Sequence, residues 1–416
     1  MALVLGATSF FVHERLERRL ERLAVLQQVD VLFDADPVAY LREFRDGEVR
    51  ERRRPRHLNV RNTIHPLVGV VARGATATGL VPREAEGDLG HQLALLVAPA
   101  AASVTTVAVF LLFLLLGASI ARAAIVALLE LASFSGLVFG SMPESYPLSG
   151  AVLALTFLLG ACALRRGRTM PVAWVALGAL AFGFTTTNLG LFAMPLFFTA
   201  WRLRGSAASA ARTTAGACAL AVLAALAQFY VVGRLYGEQP SARQLAKASQ
   251  SFVGLYAADT ARSMPRALAA TFLPSPPGVV ESEVGIRRES RYRSMFTTMR
   301  TSDPWPADAA RIVLVLGFAL VGSRAYWQGR STSAHPLFLA ALASLGWNAL
   351  VHTFFQYTDL FLYSKHWEVP LLVLVGGCAL QETPVVVALA GFTAATAVNN
   401  LVILRALLRS LGALFG

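Results

Sequence analysis

Charged residues are scarce in this sequence of 416 residues: they make up 15% of it, against 55% hydrophobic residues. Soluble domains carry charge on about a quarter of their residues, so the shortage excludes an ordinary soluble protein. Cysteine is also rare, and Cys162, Cys218 and Cys378 stand far apart within apolar segments. A disulfide framework or a zinc site needs grouped ligands. The cysteines are therefore predicted to be small buried thiols, and not part of a disulfide framework or a zinc site.

The sequence contains several long stretches without charged residues. The ranges 93–118, 213–233 and 384–404 contain no Asp, Glu, Lys or Arg, and about 20 apolar residues suffice for a helix to cross a bilayer. Backbone groups in lipid must be paired within their own segment, which favours helices. We predict an all-α, polytopic transmembrane bundle of about 9–11 spans, forming a single membrane domain over 1–416. The candidate spans are 93–118, 120–142, 147–164, 171–187, 189–201, 213–233, 312–327, 335–356, 368–381 and 384–404.

The N-terminal 29 residues change character at position 13. The range 1–12 is apolar and too short to cross a membrane, as if it were the end of a longer span. The range 13–29 is charged, with Leu16, Leu20 and Leu23 on one helical face. This pattern predicts an amphipathic helix at the membrane interface.

Arginines in short loops indicate which side of the membrane each loop occupies, because cytoplasmic loops are enriched in basic residues. If the short arginine-rich loops are cytoplasmic, the two long loops, 30–92 and 235–308, are predicted to be extracytoplasmic. Arg405 and Arg409 fall outside and are the exception. The net charge of +12 then indicates contact with anionic membrane lipids and not with nucleic acid. The loop arginines are Arg165, Arg166, Arg168, Arg202, Arg204, Arg212, Arg324 and Arg330.

The first long loop holds an acidic motif followed by a basic segment. Asp34 and Asp36 precede Pro37, where a carboxylate commonly caps a helix. The same carboxylates could act at the membrane surface as a general base or a metal ligand. Arg61 and His65, four residues apart, suit a phosphate group.

Polar residues interrupt three apolar runs at their predicted outer ends. Ionisable side chains at membrane depth cost about 2.5–3.5 kcal/mol on insertion scales, so each needs a partner, water or a function. Because all three sets of polar residues fall on the same predicted side of the membrane, we predict a substrate pocket on that side. Glu130, inside the second candidate span, either pairs within the bundle or faces a cavity open to the cytoplasm. The polar residues of these three sites include Glu144, Tyr146, Asn188, His352, Tyr363, Lys365 and His366.

Short motifs in this chain resemble the GT-C fold glycosyltransferases, which include aminoarabinose transferases and protein mannosyltransferases. The similar patches are FDADP and IHPL within 31–68, PESY within 143–149, and FLYSKHW within 352–367. The remaining spans match only by topology. Two features depart from the family pattern: the acidic motif is DAD where DE or DD is usual, and no full helix is evident before Asp34.

The resemblance implies a sugar transfer, with inversion, from a polyprenyl-phosphate donor to an envelope glycan, lipid or protein acceptor. It implies no metal or other cofactor, and a site on the extracytoplasmic face of a bacterial inner membrane. Asp36 would be the general base and Asp34 its neighbour. Arg61, His65, Lys365 and His366 would bind the donor phosphate, and Glu144, Tyr146, Asn188, His352 and Tyr363 would line the substrate pocket.

The main alternative is a transporter or flippase of a lipid-linked glycan. Such proteins usually contain inverted repeats and broken helices near the membrane midplane, and the sequence has no evident related halves. An assembly protein is a third alternative, which would not require the acidic and basic segments to converge.

Overall fold

Helices form nearly all of the regular structure that the computed structural model describes. The described residues are 1–27, 32–33, 35, 37, 40–41, 50–51, 54–55, 67–82, 84, 86–235, 257–275, 278–281, 294–297, 305–328, 334–354 and 360–415. The helices, numbered in chain order, are α1 (Ala2–Arg22), α2 (Leu67–Ala77), α3 (Glu86–Leu115), α4 (Ile120–Ala132), α5 (Phe134–Phe139), α6 (Ser145–Arg166), α7 (Pro171–Phe184), α8 (Asn188–Arg204), α9 (Ala207–Leu235), α10 (Ala257–Phe272), α11 (Trp305–Gln328), α12 (Ala334–Phe354), α13 (Ser364–Gly376) and α14 (Thr383–Phe415). Short 3-10 helices cover Val25–Gln27, Leu360–Tyr363 and Gly377–Leu380.

Six helical segments among the described residues are long and apolar enough to cross a membrane. They are Glu86–Leu115, Ser145–Arg166, Ala207–Gln228, Asp308–Gln328, Ala334–Phe354 and Thr383–Ala413. The prediction of an all-α helical bundle is confirmed, and these six segments have the length and composition of membrane spans. Helix α7, with 14 residues, and α8, with 17, are shorter than these six segments.

The second candidate span, 120–142, is two helices and not one. Ser133 lies between α4 and α5 with an extended ψ of 145°, which interrupts the helix. Its hydroxyl accepts a hydrogen bond from the backbone N–H of Gly136 at 2.8 Å, as an N-cap serine does. The apolar composition of 120–142 therefore does not reveal the helix break at Ser133, which a single capping side chain stabilises.

The apolar and the charged parts of the N-terminal segment form one continuous helix, α1. Helix α1 packs along α3, and its Gly6 carbonyl accepts a hydrogen bond from Ser103 at 2.9 Å. His13 and Glu17, from the part predicted to lie at the interface, are 0% and 1% exposed. His13 Nδ1 lies 3.0 Å from the Ser141 hydroxyl, so the charged half of α1 packs inside the bundle and not at its surface.

Helix α13 is the central element of the bundle. All 13 of its residues are buried, and it packs against α6, α10, α11 and α12. Close contact with α11 occurs at Gly322, where a β-carbon would lie 2.0 Å from the carbonyl oxygen of Leu374. The predicted span 368–381 is therefore not a lipid-facing crossing but a short helix enclosed by its neighbours.

The two long predicted loops contain regular structure where the coordinates describe them. The first holds an antiparallel pair, β1 (Arg50–Glu51) with β2 (Arg54–Pro55), and the second holds β3 (Gly278–Glu281) with β4 (Ser294–Thr297). Helix α10 lies within the second predicted loop and packs against α11, α12 and α13. Part of the predicted loop therefore belongs to the bundle.

Candidate functional site

An aromatic–histidine cluster gathers side chains from α6, α12 and the beginning of α13. It consists of Tyr146, His352, Tyr363, His366 and Trp367. The Tyr146 ring lies 5.5 Å from Tyr363 and 5.8 Å from His366, and His352 lies 5.1 Å from Tyr363 and 5.6 Å from Trp367 between ring centroids. Side chains of residues more than 200 positions apart in the chain therefore pack together in this cluster.

Backbone contacts orient this cluster. His366 and His352 are 3% and 2% exposed. The side-chain amide of Asn348 donates to the carbonyl of His366 at 3.3 Å, and the Thr260 hydroxyl donates to the carbonyl of His352 at 2.8 Å. The His366 Nε2 atom makes no hydrogen bond within the described part of the chain. An imidazole held in this way can donate to or accept from a substrate group.

Glu144 and Asn188 lie near the start of α6, which carries the cluster residue Tyr146. Glu144 is 1% exposed and caps α6, where its Oε2 accepts from the Ser145 backbone N–H at 3.3 Å. The Asn188 side-chain amide donates to the Ser149 hydroxyl at 2.9 Å, one turn along α6 from Tyr146. Tyr146 therefore contacts Tyr363 and His366, while Asn188 reaches α6 at Ser149 and not at a residue of the cluster.

The first loop reaches the same end of the bundle. Phe33 is fully buried, with its ring 5.8 Å from Phe134 and 5.2 Å from Phe361. Its φ of +54° is unusual for a bulky residue and indicates local strain of about 1–3 kcal/mol. Ala35 is also buried, and the Tyr40 hydroxyl lies 3.3 Å from the Ser145 hydroxyl. Four predicted site residues lie outside the described residues, namely Asp34, Asp36, Arg61 and His65.

A buried charge network adjoins the cluster on another face of α13. The ammonium of Lys365 lies 2.6 Å from Glu368 Oε2 and 3.5 Å from Glu130 Oε1. All three side chains are at most 2% exposed. Glu130, for which the sequence left two alternatives, therefore pairs within the bundle. Adjacent residues of a helix point about 100° apart, so Lys365 and His366 face different neighbours.

Hydroxyl groups supply the remaining partners of the two carboxylates. The Thr106 hydroxyl donates to Glu130 Oε2 at 2.6 Å. Ser133 donates to Glu368 Oε1, and Ser135 donates to Glu368 Oε2 at 3.2 Å. The network thereby ties α3, α4 and α5 to α13. Buried charges are tolerated when they are paired and hydrogen-bonded in this manner.

Lys365 is therefore buried and paired with carboxylates, unlike an exposed lysine that binds a phosphate group. Its stem passes Gly150 of α6, where a β-carbon would lie 3.3 Å from Lys365 Cδ, and its charge is shared by two carboxylates. Sequence reasoning left Glu130 and Glu368 out of the site. The signal was present, since an ionisable residue inside an apolar span requires a partner. The spacing of three residues predicts the pair of Lys365 with Glu368, whereas no local pattern identifies Lys365 as the partner of Glu130.

The described residues contain no group of three or more His, Cys, Asp or Glu side chains able to hold a metal ion. The cluster can instead supply aromatic faces, imidazole nitrogens and a buried carboxylate. No protein-family model, curated protein or solved structure matches the chain.

Proposed function

We propose that this membrane protein is a glycosyltransferase that moves a sugar from a polyprenyl-phosphate donor to an envelope glycan, lipid or protein acceptor at the extracytoplasmic face. The observation that supports the proposal most is the meeting of Tyr146, Tyr363 and His366 at one end of the bundle. Aromatic walls with a few convergent polar groups are typical of small-molecule pockets. Phe33 and Ala35, which flank Asp34 in the sequence, are buried at the same end.

In the proposed reaction Asp36 accepts the proton of the acceptor hydroxyl as that oxygen attacks the anomeric carbon. The bond between the anomeric carbon and the phosphate oxygen breaks, and polyprenyl phosphate leaves with the electron pair. Charge on the leaving phosphate requires fixed donors, which we assign to Arg61, His65 and His366. Because two carboxylates already hold Lys365, we assign it the task of fixing α13, and with it His366.

The decisive experiment compares Asp36→Asn with Asp34→Asn in purified protein reconstituted in nanodiscs. Each variant receives a panel of polyprenyl-phosphate sugars and acceptors, and transfer and donor binding are measured separately. Asp36→Asn is expected to lose about 10²–10⁴-fold in transfer rate while it retains donor binding. Asp34→Asn serves as the matched control, with a smaller loss. A fully active Asp36→Asn would exclude Asp36 as the base, and activity in both variants would refute the mechanism.

The flippase alternative predicts a different product. Proteoliposomes loaded with lipid-linked glycan would then expose the intact lipid on the opposite leaflet, and no free polyprenyl phosphate would form. Glycosyl transfer instead releases one polyprenyl phosphate for each sugar moved. Measuring both species in the same vesicles separates the two functions.

A further inference from the structure

Polar side chains recur at every fourth position of α1, and residues four apart lie on one helical face. Three of these side chains belong to residues that are at most 1% exposed. The fourth, near the C-terminal end of the helix, has a side chain that is 27% exposed. At 1.5 Å per residue the row is about 18 Å long, so it leads from the surface into the bundle. We call it the α1 polar row, and its members are Ser9, His13, Glu17 and Glu21.

Groups that exchange protons stand at both ends of the buried part of this row. At the outer end, His91 Nε2 of α3 lies 2.7 Å from Glu21 Oε1, and the His91 side chain is 33% exposed. Solvent therefore reaches this pair. At the inner end, His13 Nδ1 lies 3.0 Å from the hydroxyl of Ser141, in the segment between α5 and α6. An imidazole can accept a proton at one ring nitrogen and release one from the other.

Glu17 lies between these ends and differs from the buried carboxylates of α4 and α13. Glu130 and Glu368 face the ammonium of Lys365, and each accepts a hydrogen bond from a hydroxyl group. Neither oxygen of Glu17 has a hydrogen-bond partner in the described part of the chain, and His13 Nε2 has none there either. A buried charge without partners costs so much free energy that the group becomes neutral instead. The surroundings of Glu17 therefore favour its protonated form.

The charged residues near Glu17 do not supply the missing partner. On α1 itself, Glu14 forms an ion pair with Arg18. Glu21 is held by His91. Helices α3 and α4 pack against α1, and none of their titratable groups forms a hydrogen bond with Glu17. Those groups are Glu86, Asp88, His91, Arg122 and Glu130.

We propose that the α1 polar row is a proton relay, in which Glu17 holds an exchangeable proton and passes it between the Glu21–His91 pair and His13. A proton from solvent replaces the one that Glu17 gives up, and His13 takes that proton on one ring nitrogen and releases another toward the Ser141 hydroxyl. A water molecule bridges Glu17 and His13, because both present polar atoms that need a partner. The relay does not depend on the glycosyltransferase reaction, since it requires only protons and water.

The test measures how fast the ring N–H of His13 is deuterated when full-length protein in nanodiscs is moved to heavy water. The signal is followed by ¹⁵N NMR and is assigned as the one missing from His13→Asn. Glu17→Gln keeps the size of the side chain but removes the transferable proton, so it should slow deuteration about tenfold, equivalent to about 1.4 kcal/mol in activation free energy. Glu14→Gln is the matched control on the same helix and should leave the rate unchanged. A merely structural role of Glu17 predicts the opposite sign, because a loosened bundle exchanges faster.

Infrared spectroscopy at neutral pH tests the proton on Glu17 separately. The wild-type minus Glu17→Gln difference spectrum should contain the carbonyl stretch of a protonated carboxylic acid. A carboxylate stretch in its place would show an ionised Glu17 and overturn the proposal. So would deuteration of His13 in Glu17→Gln that is as fast as in the wild type or faster, or an equal slowing in Glu14→Gln. If Glu17→Gln fails to fold, Glu21→Gln at the partly exposed end of the row should slow deuteration of His13 in the same way, and an unchanged rate would refute the relay.

Discussion

Lys365→Met is predicted to destabilise the bundle more than any surface substitution. Methionine fills a similar volume but removes the positive charge that lies 2.6 Å from Glu368 and 3.5 Å from Glu130. At an effective dielectric constant of 20, two unit charges 4 Å apart attract by about 4 kcal/mol. Removing one member of a buried ion pair costs about 3–5 kcal/mol, because its partner stays buried without a counter-charge. We expect a loss of that size in the free energy of unfolding.

The assay is reversible unfolding of purified protein in mixed micelles, with sodium dodecyl sulfate as the denaturant and tryptophan fluorescence as the signal. A second variant, Lys365→Met with Glu368→Gln, should recover part of the loss, since one of the two uncompensated carboxylates is then neutral. Coupling of about 0.5–3 kcal/mol is typical of residues in one network. Arg409→Met, a change at an exposed residue of α14, is the control and should stay within about 0.5 kcal/mol of the wild type.

An unfolding free energy of Lys365→Met within about 0.5 kcal/mol of the wild type would refute this reasoning. It would mean that the two carboxylates carry protons in the folded protein and need no cation. A double variant as unstable as the single one would show that Glu368 is not the partner that is left uncompensated.

Two further predictions concern packing and orientation. Gly322→Ala should lower the free energy of unfolding by about 1–3 kcal/mol, because its methyl group would overlap the Leu374 carbonyl. Gly317→Ala is the control: this position on the same helix has open space, so the substitution should raise the free energy of unfolding by up to about 1 kcal/mol. Equal effects of the two substitutions in the micelle assay would contradict the close contact of α11 with α13. Ser282→Cys in a background without the native cysteines should react with an impermeant maleimide in intact spheroplasts, because the 235–308 loop is predicted to be extracytoplasmic. Labelling that occurs only after lysis would reverse the proposed orientation.

Local composition was sufficient for much of the architecture. The uncharged range 93–118 lies largely within α3, and the interruptions at PESY and at Thr185–Thr187 coincide with the starts of α6 and α8. Such features depend on the residues of one segment and on the cost of exposing backbone in lipid. The break at Ser133 was missed because one extended residue with a capping hydroxyl leaves the average hydropathy unchanged.

The candidate site could be predicted only as separate parts. Tyr146, His352 and His366 were chosen because each interrupts an apolar run on the same predicted side, and the structure brings them into one cluster. The roles of Asp34 and Asp36 stay predictions, since both lie outside the described residues.

Local sequence patterns were enough to predict a helical chain with long apolar segments and to locate the polar residues that interrupt them, because hydropathy and helix formation act over a few turns. The enclosure of α13 by other helices and the pairing of Lys365 with Glu130 are visible only in the folded bundle. Those two residues are far apart in the chain, and their pairing results from the packing of α4 against α13. No local pattern predicts that contact, since it forms only when the fold buries both side chains side by side, where each charge requires a counter-charge.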